Sequence, residues 1–223
     1  MTTIRPSGAP VGAPEDRSGA GTGRSDSRAR ILRSALGLFA RHGYDGTSLK
    51  AIAGQVGVST PALYWHFESK DEIYHAAVEQ MLDDFLDAVR GTLRAPEPLP
   101  RFRELVAAHV RWQLERREEA GVYAQTMGMR QLAASLSPEQ RDRILQMQRS
   151  YLEEWRTILA RGREDGVFDF ADLRTTAFAV ISLCEYVHTW FNPEGALSVD
   201  AVVDLYVDLA LRMVGAELRQ EVA

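Results

Sequence analysis

From about Ser25 onward, apolar residues recur every three or four positions, the spacing of an α-helix with one buried face. Ile31, Leu32, Ala35, Leu38 and Phe39 mark a first helix over about Asp26 to His42, which Gly43 ends as a C′ glycine. A short second helix begins after Thr47, a good N-cap, and ends at Gly57. A third follows Ser59, with Pro61 in its first turn, and is over by Phe67. A fourth starts after Ser69 and runs towards Leu93, with Ile73, Ala77, Met81, Phe85 and Val89 on one face. The run Ala95-Pro-Glu-Pro-Leu-Pro100 breaks the pattern.

Beyond the break, Arg101 to Arg117 turns Phe102, Leu105, Val106, His109, Trp112 and Gln113 inward, and 118–134 reads as a shorter, less regular helix. Ser137-Pro-Glu-Gln140 has the form of a capping box, opening a helix to about Gly162 that carries Ile144, Met147, Tyr151, Trp155 and Leu159. Helices over about 172–191 and 199–217 complete the chain, separated by Asn192-Pro193-Glu194-Gly195. The expected fold class is all-α, about nine helices, with neither strand nor internal repeat.

Residues 1–24 stand apart: five glycines, three prolines and no Leu, Phe, Tyr or Trp. A segment that buries so little cannot offset its ordering entropy and is expected to be a disordered tail. The organisation predicted is therefore a tail over 1–24, a helix-turn-helix domain over 25–70 and a helical body over 71–223.

Composition narrows the function classes. No stretch approaches the roughly 18 apolar residues of a membrane span, and no apolar secretory segment opens the chain, so a cytoplasmic location is expected. Cys184 is the only cysteine, which excludes an internal disulfide and argues against a metal cluster. His42, His66, His75, His109 and His188 are scattered without metal-ligand spacing, and no paired carboxylates sit in an apolar setting, so neither metal, cofactor nor catalytic residue is expected. The net charge is -5, yet residues 1–75 hold nine Lys/Arg against seven acids, which leaves -7 for the rest. A weakly basic head on an acidic body fits binding to nucleic acid at one end.

The chemistry of that end lies in Ser48–Val56, Gly57-Val58-Ser59 and Thr60–Phe67, two short helices joined by a tight glycine turn, the pattern of a helix-turn-helix. Val58 is expected to plug the turn against Ile52, Ala53 and Leu63, and Ser59 to leave helix N–H groups for a phosphate. Leu63 and Phe67, four apart, face the core, which sends Thr60, Pro61, Ala62, Tyr64, Trp65 and His66 outward. Hydroxyl and imidazole groups suit phosphates, rings suit sugars and thymine methyls, and small side chains let a helix approach base edges. Packing of Trp65 on the fourth helix is the alternative for that ring.

The stretch Ile31-Leu … Ala35 … Leu38-Phe39 … Gly43-Tyr44 … Thr47-Ser48 … Ile52-Ala53 … Val56-Gly57-Val58-Ser59 … Leu63-Tyr64-Trp65-His66-Phe67 … Ser69-Lys70 resembles the head of TetR-family regulators in register. The resemblance implies that Ser48 and Lys50 lie near phosphates. It puts Thr60, Pro61 and Ala62 at bases, has Tyr64, Trp65 and His66 mix base and backbone contacts, and has Lys70 hold a flanking phosphate. It further implies double-stranded DNA with a palindromic operator as partner, a body that binds a hydrophobic small molecule, and a homodimer through the last two long helices. The apolar stripes Ala177, Val180, Ile181, Cys184, Val187 and Val199, Val202, Val203, Tyr206, Leu209, Ala210, Met213 are compatible with such a bundle.

Pocket candidates are large inward residues with polar groups among them: His109, Trp112, Met127, Met147, Tyr151, Trp155, Phe178 and His188. The segment from Asp172 to Met213 is similar to a subgroup that regulates fatty-acid or sterol breakdown, which implies an acyl-coenzyme A effector and offers Arg111, Arg116 and Arg130 as phosphate partners. Repression is the family's default. The competing classes are a helical DNA-binding protein without effector and a helical enzyme.

Overall fold

The structure is a computed structural model that describes residues 19–128 and 136–216, with side chains over 26–122 and 136–216. Nine α-helices are present among the described residues. They are α1 (Gly19–Gly46), α2 (Leu49–Val56), α3 (Thr60–Leu63), α4 (Lys70–Thr92), α5 (Pro98–Glu115), α6 (Arg117–Gly128), α7 (Pro138–Glu164), α8 (Leu173–Glu185) and α9 (Val199–Met213). A single 3₁₀ turn, Val187–Thr189, follows α8. None of these helices is long and apolar enough to cross a membrane.

α1 starts at Gly19, so the last part of the expected tail is helical, while 1–18 lies outside the described residues. Extending a helix that already exists costs far less than nucleating one, which lets the poor helix formers before Ser25 join the end of α1. The chain turns at Gly43, whose φ of 70° and ψ of 172° break the helix where a C′ glycine was expected. Thr47 is not the N-cap of α2. It is buried, its hydroxyl donating to the carbonyls of Leu38 and Gly43, and Ser48 takes the cap by accepting from the Ala51 N–H at 3.1 Å. The capping box of α7 is complete, with Ser137 Oγ accepting from Gln140 N–H and Gln140 Oε1 from Ser137 N–H.

Two packing units share α4. Its first turns join the head, where Tyr74 sets its ring 4.8 Å from Phe39 and 5.2 Å from Tyr44. Its later turns join the body, where Phe85 meets His109, Trp112 and Tyr151 edge-on at 4.9–5.1 Å. In the body α5 is the central helix, packed by α4, α7, α8 and α9. Two arginine–carboxylate links fasten α7 to α4, Arg143 to Glu79 through two parallel hydrogen bonds and Arg90 to Glu154.

The C-terminal pair departs from the expected arrangement. Ala177, Val180, Cys184, Val187, Val202, Val203 and Ala210 are buried within the single chain, against α5 and against each other. The apolar stripe proposed for dimer contact is therefore mostly this chain's own core. What α8, α9 and the turns after α8 leave exposed overlaps that stripe only at Leu209 and Met213, and otherwise comprises Phe178, Tyr186, Trp190, Leu197 and Leu205. The long helix expected over 172–191 ends at Glu185, and α9 ends at Met213 ahead of Gly215, which adopts a φ of 64°.

Candidate DNA-reading head and ligand cavity

In the head, Gly57 has φ 79° and ψ 31°, a left-handed conformation that glycine adopts at no steric cost. Its N–H and that of Val58 both return to the Ala53 carbonyl at 3.0 Å, closing α2 before the chain reverses. Val58 does not plug the turn. Its side chain is exposed, because the reversal is already held by these backbone bonds and by Ile52, Ala53 and Leu63 beneath it.

α3 is a single turn, capped by Ser59 Oγ accepting from Ala62 N–H at 3.3 Å. That N–H also bonds the Ser59 carbonyl, so it is not left for a phosphate as expected. Leu63 and Phe67 are buried as the spacing requires. Tyr64 is 57% and Trp65 78% exposed, so Trp65 does not pack into the body of the head. Ser48, Lys50, Ser59 and Pro61 are exposed, and Thr60, Ala62 and His66 half-buried, on the same helix-turn-helix unit.

Lys70 occupies a different environment from the one expected. Its ammonium donates to the carbonyls of Tyr44 (2.9 Å) and Thr47 (3.1 Å) and stands 4.0 Å above the Tyr44 ring. The cause is local: the α1–α2 turn carries carbonyls that no helix satisfies, and a cation at the first turn of α4 lies within reach. Tyr44 donates to Asp71, and burial together with that carboxylate raises its pKa well above the usual phenol. Arg28 over the Phe67 ring and Arg30 to the Val56 carbonyl tie α1 to the reading unit.

In the body, α4, α5, α7 and α8 surround a cavity of about 390 Å³. Of the residues expected to line it, His109, Trp112, Met147, Tyr151 and Phe178 do so. Trp155 does not. It is fully buried beneath Tyr151, packed edge-on against Phe102 at 5.9 Å. His188 is also absent from the wall, its Nδ1 lying 2.9 Å from the Glu185 carbonyl in the 3₁₀ turn, where the break in α8 carries it away. Met127 and Arg130 fall outside the residues whose side chains are described.

The wall adds Met81, Phe85 and Gln113, which sequence reasoning turns inward without assigning to a site, and Arg149 and Glu185, which it passes over. The available signal was Gln113, which with His109 interrupts an otherwise apolar inner face. Arg111 and Arg116 are held on the surface by acids of this chain, Asp200 at 2.7 Å and Glu119 at 3.2 Å, and do not reach the cavity. Among the described residues Arg149 is the arginine on its rim, and it is exposed.

The polar part of the wall is a short chain of groups. Tyr151 Oη lies 2.8 Å from His109 Nδ1, and His109 Nε2 lies 3.3 Å from Gln113 Nε2. Burial drives the His109 pKa down to about 3, so the ring is neutral, and pushes Tyr151 well above its ordinary value. Burial likewise raises the Glu185 carboxyl.

This pairing of a helix-turn-helix with a hollow helical body is matched by two family profiles. Residues 31–77 match the one described as bacterial regulatory proteins, tetR family, and residues 95–214 match the tetracyclin repressor-like, C-terminal domain. The chain belongs to the TetR family of bacterial DNA-binding transcriptional regulators, a family of non-enzymatic proteins. It is 27% identical over 207 residues to the HTH-type transcriptional repressor KstR2 of Rhodococcus jostii, covering 85% of this chain and 92% of that protein. Among solved structures it resembles the TetR family transcriptional regulator PfmR of Thermus thermophilus, with TM-score 0.71 and 34% identity over 82% of this chain and 97% of that one. The fold also matches AibR, solved in complex with isovaleryl coenzyme A and operator DNA, with TM-score 0.71 and 22% identity over 82% and 97% of the two chains.

Proposed function

We propose that this protein is a cytoplasmic, homodimeric repressor that leaves a palindromic operator when a hydrophobic small molecule, an acyl-coenzyme A thioester, fills the cavity between α4, α5, α7 and α8. The observation that carries the reading is α4. One helix has its first turns in the core beneath the reading unit and its later turns, through Met81 and Phe85, in the cavity wall. A ligand that prefers one position of α4 therefore biases the head, which is what coupling between two sites requires. Tyr64, Trp65 and His66, with Ser48, Lys50, Ser59, Thr60, Pro61 and Ala62, form the DNA-facing set. Lys70 serves that set by fixing the α1–α2 turn.

Arg149 on the rim supports a ligand whose apolar part enters and whose phosphates stay at the mouth. For the dimer, the exposed row Leu205, Leu209 and Met213 on α9, with Tyr186 and Trp190 beside it, is an apolar patch of the kind that subunits cover. In this reading the chain divides into a reading head over 25–70 and an effector and dimer body over 71–223, coupled through α4. The resemblance to KstR2 and the acyl-coenzyme A complex of AibR favour the thioester class.

The test is a gel shift on DNA flanking the gene, repeated with decanoyl-coenzyme A and related thioesters. Wild-type protein is expected to shift a flanking fragment and to release it with a thioester. Tyr64→Ala is expected to weaken specific binding at least tenfold while the dimer persists on gel filtration. Absence of any shifted fragment refutes the regulator reading, and a shift indifferent to every thioester removes the effector.

A further inference from the structure

The cavity wall contains a buried acceptor with nothing to accept. Gln113 is 5% exposed and lines the cavity, and its Oε1 has no hydrogen-bond partner among the described residues. We propose, building on the hydrophobic-effector reading above, that the effector carries a neutral hydroxyl group at its inner end and that Gln113 receives it.

The direction of the polar chain supports this. A neutral imidazole has one N–H and one bare nitrogen. With the Gln113 amide nitrogen facing His109 Nε2, Gln113 donates, the ring proton lies on Nδ1, and Nδ1–H donates to Tyr151 Oη. The carboxamide oxygen is then the unmatched end. Turning the amide over reverses every bond in the chain and presents the NH₂ group instead. A hydroxyl both donates and accepts, so it satisfies Gln113 in either orientation. A ketone or ether matches only the reversed one.

Other ligand ends fit less well. A wholly apolar end would seal the Gln113 oxygen away from water without a partner, which costs more than never burying it. A carboxylate at the same depth would meet a neutral His109 and, among the described residues, no cation, since Arg149 is exposed at the rim. An anionic part of the ligand therefore belongs at the mouth and the hydroxyl at the inner wall. Discrimination by a buried polar group also tends to be sharp, because the wrong ligand leaves that group unpaired.

The experiment is calorimetric titration of the full chain with three matched ten-carbon compounds: 1-decanol, decyl methyl ether and decanoate. The alcohol is expected to bind at least tenfold more tightly than the ether or the acid. In Gln113→Leu the alcohol and ether are expected to fall within twofold of each other. Equal affinity for alcohol and ether in the wild type overturns the proposal and leaves the hydrophobic effector standing, as does discrimination that survives Gln113→Leu. Binding of none of the three overturns the hydroxyl proposal, while the gel shift with thioesters decides the effector reading separately. The wild-type comparison decides the matter even where the variant does not fold.

Discussion

The head and the body use their polar side chains in opposite ways. In the head, Thr47, Ser48, Ser59, Ser69 and Lys70 are spent on the backbone, capping helix starts and holding the carbonyls of the α1–α2 turn. In the body, His109, Gln113 and Tyr151 bond to one another along the cavity wall and, among the described residues, leave the Gln113 oxygen over. A segment whose polar groups are saturated has one arrangement and presents it outward. One whose buried groups are incompletely matched keeps a place for something else. Rigidity marks the surface that reads, and incompleteness marks the site that senses.

The largest test of this contrast is Trp155→Ala, which empties a fully buried indole under the cavity and is expected to cost about 3–5 kcal/mol in urea unfolding. A loss below about 1 kcal/mol would show that the cavity floor is not packed as described.

The next depends on pH. Burial holds His109 neutral in the folded chain down to about pH 3, whereas an unfolded histidine takes a proton below about 6.5. The unfolded state therefore gains protons first, and stability falls as pH drops through that window. Between pH 7 and pH 5 the loss from His109 is about 2 kcal/mol, with His75 and His188, also lowered by burial, acting in the same direction. His109→Gln is expected to flatten the thermal-denaturation profile over that range, and an unchanged slope would place the sensitivity elsewhere.

Lys70→Met removes two hydrogen bonds from a charged donor to backbone carbonyls and is expected to cost about 1–3 kcal/mol. Hydrogen exchange should quicken around Tyr44 to Ser48 while α5 stays protected. If only the affinity for DNA changes, Lys70 is a phosphate contact after all. Smallest is Arg41→Ala, which breaks an exposed pair with Glu118 between head and body and is expected to change stability by less than about 1 kcal/mol. A larger loss would mean that the two regions depend on each other for folding.

Much of this was readable beforehand, for identifiable reasons. The α7 start at Ser137, the glycine turn at Gly57 and the inward pair Leu63 and Phe67 are set by neighbours in sequence, so local pattern suffices. Where pattern failed, the missing information was the partner. Periodicity shows that Val180, Cys184, Val202 and Ala210 are covered, but it is silent on whether α5 or a second subunit covers them. Thr47 and Ser48 are equally good caps in sequence, and only the Leu38 and Gly43 carbonyls draw Thr47 inward. Among the inner residues, the cavity is a matter of what the packed helices fail to fill, and His109 and Gln113 on the inward face of α5 were the polar clues to it.

Lysine usage has a practical consequence. The chain has two lysines, Lys50 exposed at the start of α2 and Lys70 with its ammonium bound to two carbonyls. An amine must reach the acyl carbon of a reagent to be labelled, and the nitrogen of Lys70 is enclosed by two carbonyls and the Tyr44 ring while that of Lys50 stands in solvent. An amine-directed fluorophore at limiting dose should therefore mark the side chain at Lys50 in preference to Lys70. The label would sit beside the reading helix and report occupancy of that face without any engineered residue.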